Sequence, residues 1–128
     1  MVQQISDSEL ELMKIIWGSG GKIRYADIME ALAKIGNSWQ KNTVITLLSR
    51  LVDKGMLKTS KIGRRNEYIA LVSQSDYQSA QTRSLLNKLY AGEAKGLVAT
   101  LIQGEMLSAE EYQDLKRFWD NGGRENDV

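Results

Sequence analysis

Residues 37–57, NSWQKNTVITLLSRLVDKGML, set Val44, Leu47, Leu48 and Leu51 on one helix face and close on Gly55. The spacing predicts a helix with a single buried stripe, opened by Ser38 as N-cap and stopped by the glycine. Directly behind it, Met56 to Ile62 and Glu67 to Val72 carry strand-forming residues such as Ile62, Tyr68 and Ile69. Between them Gly63-Arg64-Arg65-Asn66 is a turn signal with two arginines at its tip. A two-sided helix running straight into a basic hairpin restricts the fold more than any other part of the chain.

The upstream residues complete the arrangement. Ser6 opens a capping box with Glu9, and Leu10, Met13, Ile16 and Trp17 follow at helical spacing, which predicts a first helix from Asp7 to Trp17. Gly18, Gly20 and Gly21 end it, and Lys22 to Arg24 form one short strand. Ile28, Leu32 and Ile35 then give a second helix its apolar stripe before Gly36. Three short helices with a hairpin on one edge make a winged helix-turn-helix, in which the third helix enters the major groove of duplex DNA.

On that third helix Asn42, Thr46, Ser49 and Asp53 point outward, with Thr43 and Arg50 on one flank and Ile45 on the other. Amide, hydroxyl and guanidinium groups hydrogen-bond base edges or phosphates, and Thr and Ile methyls meet thymine methyls. A merely solvated helix carries such residues too; the basic hairpin behind it turns the balance toward nucleic acid. Between 36 and 66, Lys41, Arg50, Lys54, Lys58, Lys61, Arg64 and Arg65 meet only Asp53 as counter-charge. Residues 1–72 hold 11 Lys and Arg against 7 Asp and Glu, residues 73–128 hold 6 against 9, and the net +1 hides this division. Such an asymmetry marks a surface that meets a polyanion. Trp39 reads as a staple under the third helix rather than a platform for stacked bases.

The chain has no Cys and no His, which removes disulfides, thiolate chemistry and the usual proton shuttle at neutral pH. Glu110 and Glu111 diverge on a helix and read as first-turn acids, not as a catalytic pair. No enzyme and no cofactor are expected. The opening MVQQISDSE lacks a basic segment followed by an apolar one, and apolar runs such as Leu97 to Ile102 are too short for a bilayer. The expectation is a cytoplasmic protein with no membrane partner.

After Val72 the character changes. Ser73 opens a further helical stretch, interrupted at Gly92, Gly96 and Gly104, and Ser108 begins a capping box with Glu111. Tyr77, Leu85, Leu86, Leu89 and Tyr90 form one stripe, and Leu97, Val98, Leu101 and Ile102 a second. Leu115, Phe118 and Trp119, with Tyr112, form a third. So much apolar surface on short helices points to burial against a second copy. The fold class expected is therefore mainly α with a small β-wing. It divides into a winged-helix DNA-binding domain over 1–72, a helical dimerisation domain over 73–122 and a disordered tail over 123–128.

Three elements together carry a family resemblance: WQKNTVITLLSRLVDKG, the Gly63-Arg64 wing and LNKLYAG. With ISDSELELMKIIW before them and LSAEEYQDLKRF after, the chain from Ile5 to Phe118 resembles the BlaI/MecI family of penicillinase and methicillin-resistance repressors. The resemblance implies a dimeric winged-helix repressor on a palindromic operator in double-stranded DNA, with intertwined C-terminal helices, controlling antibiotic-resistance or stress-response genes. Thr43, Thr46 and Arg50 match the family's DNA-contacting positions, and Arg64 and Arg65 match its wing. With Lys41, Asn42 and Lys61 they make up the expected DNA-binding set. Where relatives often carry a Pro-Lys pair before the first Thr, this chain has Lys41-Asn42, which implies a different operator. The Asn-Phe pair cleaved in β-lactam-responsive members is Thr100-Leu101 here, so the inducing protease or other signal is left open. The rival reading is a winged-helix protein–protein module that binds no operator.

Overall fold

The structure, a computed structural model, describes residues 4–123. Its order is α1 (Asp7–Gly18), β1 (Lys22–Arg24), α2 (Tyr25–Lys34), α3 (Lys41–Asp53), β2 (Leu57–Ile62), β3 (Arg65–Ala70), α4 (Gln74–Tyr90), α5 (Ala94–Gln103) and α6 (Ala109–Asp120). The helix–strand–helix–helix–hairpin order is the one read from the residues. The strands form one antiparallel sheet in the order β1-β3-β2, so β3 is central, with Ile23 opposite Tyr68 and Ile62 opposite Arg65.

The chain divides into two compact units, one ending at Thr82 and the other beginning at Arg83. The first has a core of its own. Leu12, Met13 and Ile16 of α1, Ile28 and Leu32 of α2, and Val44, Leu47, Leu48 and Leu51 of α3 are all buried there. Met56, Leu57 and Tyr68 close it from the sheet. Each fully buried aliphatic side chain contributes about 2 kcal/mol relative to an exposed one, which fixes the rotation of α3 about its axis. Trp39 packs against this core, in keeping with the staple expected.

Several details depart from the periodicity. Helix α3 starts two residues later than a Ser38 cap implies: its N-cap is Gln40, without a side-chain cap bond. Asn37 takes the local role instead, its Oδ1 accepting from the Trp39 N–H at 2.8 Å, an Asx turn that competes with capping. Ile35 lies past the end of α2 and is 62% exposed, off the stripe it was expected to extend. The wing turn is tighter than four residues, because Arg65 already pairs with Ile62. Gly63, at φ 64°, takes the first turn position, as a two-residue type II′ turn requires.

Tyr77 departs furthest. Spacing put it on the dimerisation stripe, but it is 7% exposed in the first unit's core, its ring 5.7 Å from that of Trp17. The Trp17 Nε1–H also donates to the Val72 carbonyl at 2.9 Å. These contacts hold the start of α4 to α1 and carry the first unit ten residues beyond the boundary expected at 72. Of the tail expected over 123–128, residues 124–128 lie outside the described residues.

The second unit has no comparable core. No residue of α5 or α6 is buried. Leu89, Ile102, Leu115, Phe118 and Trp119 are exposed, Trp119 to 81%. Leu85 and Val98 are exposed too, while Leu86, Tyr90, Leu97 and Leu101 are half-buried. Gly96, expected to interrupt a helix, lies inside α5. A Cβ there would come within 2.8 Å of the Tyr90 ring, so the glycine permits close packing rather than a break. Ser108 and Glu111 form the capping box foreseen for α6. Among the described residues no helix is long and apolar enough to cross a membrane.

The first unit also buries one charge. Glu9, 1% exposed, accepts the Ser6 N–H at 2.8 Å while Ser6 Oγ accepts the Glu9 N–H at 3.1 Å. Its Oε1 also receives the Lys54 ammonium at 2.6 Å, which ties the C-cap of α3 to the first turn of α1. Burial alone would raise the Glu9 carboxyl. The hydrogen bonds from Lys54 and Ser6 and the Lys54 charge outweigh it and hold the group below its ordinary value. A folded-state pKa below the unfolded one stabilises the fold above the unfolded pKa, and that contribution is lost as pH falls through the folded value. The variant Glu9→Gln should therefore be about 2 kcal/mol less stable than the parent at neutral pH. In urea unfolding the gap should narrow steadily as pH drops below about 4.3, the free Glu value; a gap constant with pH would show that the ion pair contributes nothing.

Candidate nucleic-acid interface

With the stripe of α3 turned inward, Asn42, Thr43, Ile45, Thr46, Ser49, Arg50 and Asp53 are all exposed. Asn42, Thr43, Thr46 and Arg50 line one shallow depression of about 330 Å³. One amide, two hydroxyls and a guanidinium thus share a single recess on a rigid helix, the donor and acceptor set that reads base edges. Here the helix periodicity and the structure agree residue by residue.

A second, deeper groove of about 630 Å³ lies beside it. Lys41 and Ile45 come to it from α3, Arg64 and Arg65 from the wing, Arg24 and Tyr25 from the junction of β1 with α2. Four cations face one acid, Asp27. The structure therefore brings Lys41, Arg64 and Arg65 together in one place. Lys61 does not line this groove; it sits on β2, directly opposite Asn66.

Arg24 and Tyr25 escaped the sequence reading because nothing in their neighbourhood marks them. Their position follows from the antiparallel pairing that sets Arg24 opposite Glu67 on the central strand. A short strand between two helices was the available clue, since β1 has to pair with the hairpin and so carries its last residue to the wing.

The electrostatics of the groove are unusual for helix starts. Helix α3 begins with Lys41, has no acid in its first turn and no side-chain cap. Helix α2 has Arg24 as its N-cap, also without a side-chain cap bond. A cation near a helix N-terminus is disfavoured by the helix dipole, whereas an anion there is stabilised. Burial pushes the Tyr25 phenol up, and burial followed by the Tyr25 charge pushes the Tyr68 phenol up. Both therefore remain protonated donors at neutral pH. Among the described residues, the Tyr25 hydroxyl is the buried side-chain polar atom left without a hydrogen-bond partner.

Comparison with known proteins gives a consistent result. The penicillinase repressor family matches residues 5–121. The penicillinase repressor of Bacillus licheniformis is 36% identical over 114 residues, covering 89% of this chain and 88% of the relative. The methicillin resistance regulatory protein MecI of Staphylococcus aureus is 31% identical over 117 residues, covering 90% of this chain and 92% of that one. Among solved structures, the DNA-binding domain of the repressor BlaI is 39% identical with a TM-score of 0.52, covering 60% of this chain and 92% of the other. A second solution structure, of monomeric B. licheniformis BlaI in complex with the blaP half-operator, has 39% identity and a TM-score of 0.51 with the same coverage. The capped first helix, the two-faced α3, the basic wing and a match running from Ile5 into the last helix place this chain in the penicillinase repressor family.

Proposed function

We propose that the chain is a sequence-specific DNA-binding transcriptional repressor, acting as a homodimer on a palindromic operator in the cytoplasm. The observation that carries this is the pairing of two recesses on the first unit. One is lined by base-reading groups of α3, the other by cations of α3 and the wing. BlaI, its solved relative, is described in complex with a half-operator, which supports the same use here.

In this reading Thr43, Thr46 and Arg50, with Asn42, meet base edges in the major groove. Lys41, Lys61, Arg64 and Arg65 neutralise backbone phosphates. No step of covalent chemistry is required, and the protein works by binding and occlusion rather than as an enzyme. Asn42 lies in the base-reading recess, so it is placed to set an operator different from those of relatives with another residue there.

The second copy is the natural cover for the exposed stripes of the second unit. Leu89, Ile102, Leu115, Phe118 and Trp119 leave more apolar surface open than a small monomer normally carries. The dimer also links two half-site contacts, so that the second contact becomes intramolecular and the overall affinity rises.

Two experiments test this reading. Operator fragments selected from genomic DNA should be bound about 5- to 150-fold more weakly after Thr46→Ala or Arg50→Ala, if each contact is worth roughly 1–3 kcal/mol. Arg64→Ala with Arg65→Ala should weaken binding to all duplexes alike and lower the salt slope by about 0.9 per lost phosphate contact. Parent-like binding by all of these variants would remove the assignment, and absence of any DNA binding at low salt would favour a protein–protein module instead. Separately, Leu89→Asp and Leu101→Asp should give a monomer by sedimentation and a weaker operator complex with the N-terminal contacts intact. An unchanged dimer with unchanged affinity would rule out that interface.

A further inference from the structure

Among the described residues Glu9 is the one buried charged side chain, and its partner is not a local one. The other ion pairs among these residues, Glu11 with Lys14, Glu30 with Lys34 and Asp114 with Arg117, join exposed neighbours on a single helix. Such pairs add little stability and fix nothing beyond their own helix. Glu9 and Lys54 stand 45 positions apart in sequence, meet at 2.6 Å and join the first turn of α1 to the C-cap of α3. Lys54 belongs by sequence to the run of cations set against a polyanion, yet its ammonium lies on a buried carboxylate.

This tie supplies what the apolar stripe of α3 lacks. Val44, Leu47, Leu48 and Leu51 set the rotation of the helix, but apolar contact is non-directional and the stripe stops at Leu51, short of the C-cap at Lys54. A charged hydrogen bond is directional and short, and it weakens steeply once its geometry is lost. It also acts on the last turn of the helix. The Lys54 N–H donates to the Arg50 carbonyl at 2.9 Å, so the residue that grips Glu9 also closes the turn carrying Arg50. Glu9 cannot follow α3 outward, because the same carboxylate oxygen accepts the Ser6 N–H in the capping box.

The depth at which α3 sits matters unequally to the groups that meet DNA in the proposed function. Asn42, Thr43 and Thr46 are short side chains that reach a base edge only from a well-placed backbone, to within about 0.5 Å. Lys41, Arg64 and Arg65 carry their charge on long rotatable stems, which keep a phosphate in reach when the helix shifts slightly. We propose that Glu9 and Lys54 are positioning residues for sequence discrimination. The ion pair between them holds α3 where its short side chains reach base edges, and Lys54 itself neutralises no phosphate. The inference rests on the DNA-binding reading above and gives a recognition role to two residues outside its contact set.

The full-length parent, Glu9→Gln, Lys54→Met and the double variant are titrated across a range of salt with two duplexes. One is the genomic fragment most enriched by the parent, the other a mixed-sequence duplex of the same length. The readout is the ratio of the two affinities, with the salt slope on the mixed-sequence duplex. Partial unfolding lowers both affinities in proportion, so a folding defect leaves the ratio unchanged. Each single variant should lower the ratio about tenfold, the scale of one lost base contact. The slope should stay at the parent's value in Lys54→Met and in the double variant. By charge alone Glu9→Gln would strengthen DNA binding and Lys54→Met would weaken it, so a shared loss of discrimination reports position rather than charge. The double variant strands no buried charge and should fold more stably than Lys54→Met alone. Its ratio should match those of the single variants instead of falling by their product, because the pair acts as one unit. A slope lower by about 0.9 in Lys54→Met would make Lys54 a phosphate contact and overturn the proposal. A parent-like ratio in the double variant would overturn it as well, with the DNA-binding reading left standing. If the parent enriches no fragment, sequence-specific binding falls and this inference with it.

Discussion

The seat of α3 decides what the first unit presents to its surroundings. Its apolar stripe fixes rotation, because any turn of the helix would expose one of Val44, Leu47, Leu48 or Leu51. The ion pair from Lys54 to the buried Glu9 carboxylate fixes its far end against the start of α1. Glu9 serves two elements at once, since the same oxygen that closes the capping box accepts the ammonium. A buried carboxylate held by that many donors resists protonation and tolerates little displacement of α3. The polar recess of Asn42, Thr43, Thr46 and Arg50 is in this sense a by-product of how the opposite face is anchored.

The two units solve the problem of apolar surface in different ways. The first satisfies itself: three helices and a sheet share one core, and Tyr77 adds the beginning of α4 to it. The second presents short helices whose stripes remain open, with no buried residue in α5 or α6. A module of that kind is stable only when something else covers it, and an identical module offers a complementary surface by symmetry. In the proposed repressor this dependence is useful. Each reading unit is complete alone, while the pairing that raises affinity resides in residues that never meet DNA.

Patterns confined to one element were legible in the residues. The Ser6 and Ser108 capping boxes, the buried stripe of α3 and the wing with Gly63 at its turn all depend on local spacing. What failed to be legible depends on tertiary company. Ile35 keeps helical phase with Ile28 and Leu32 but falls beyond the last turn of α2, where there is no core to meet. Tyr77 keeps phase with Leu85 and Leu89, yet Trp17 on α1 claims it first. Ser38 is a good cap by type, but Asn37 organises the backbone ahead of it. Arg24 and Tyr25 come to line the groove beside the wing only when β1 pairs with β3, a contact between residues more than forty positions apart.

The helix starts differ in how they meet the positive end of the helix dipole. Helices α1 and α6 close their first turns with Ser-Glu boxes. Helix α5 lacks a side-chain cap bond, but its N-cap is Glu93, whose negative charge suits that end of the dipole. Helices α2 and α3 have neither device: Arg24 and Lys41 put positive charge where the dipole is already positive, and only Asp27 on α2 offsets it. These are also the two starts that line the groove shared with the wing arginines. Among α1, α2, α3, α5 and α6, only α2 and α3 carry a cation at the N-cap or first helical position, and both line this groove. With Arg24, Lys41, Arg64 and Arg65 against Asp27, these two helix starts share the positive charge that the proposed reading assigns to DNA phosphates.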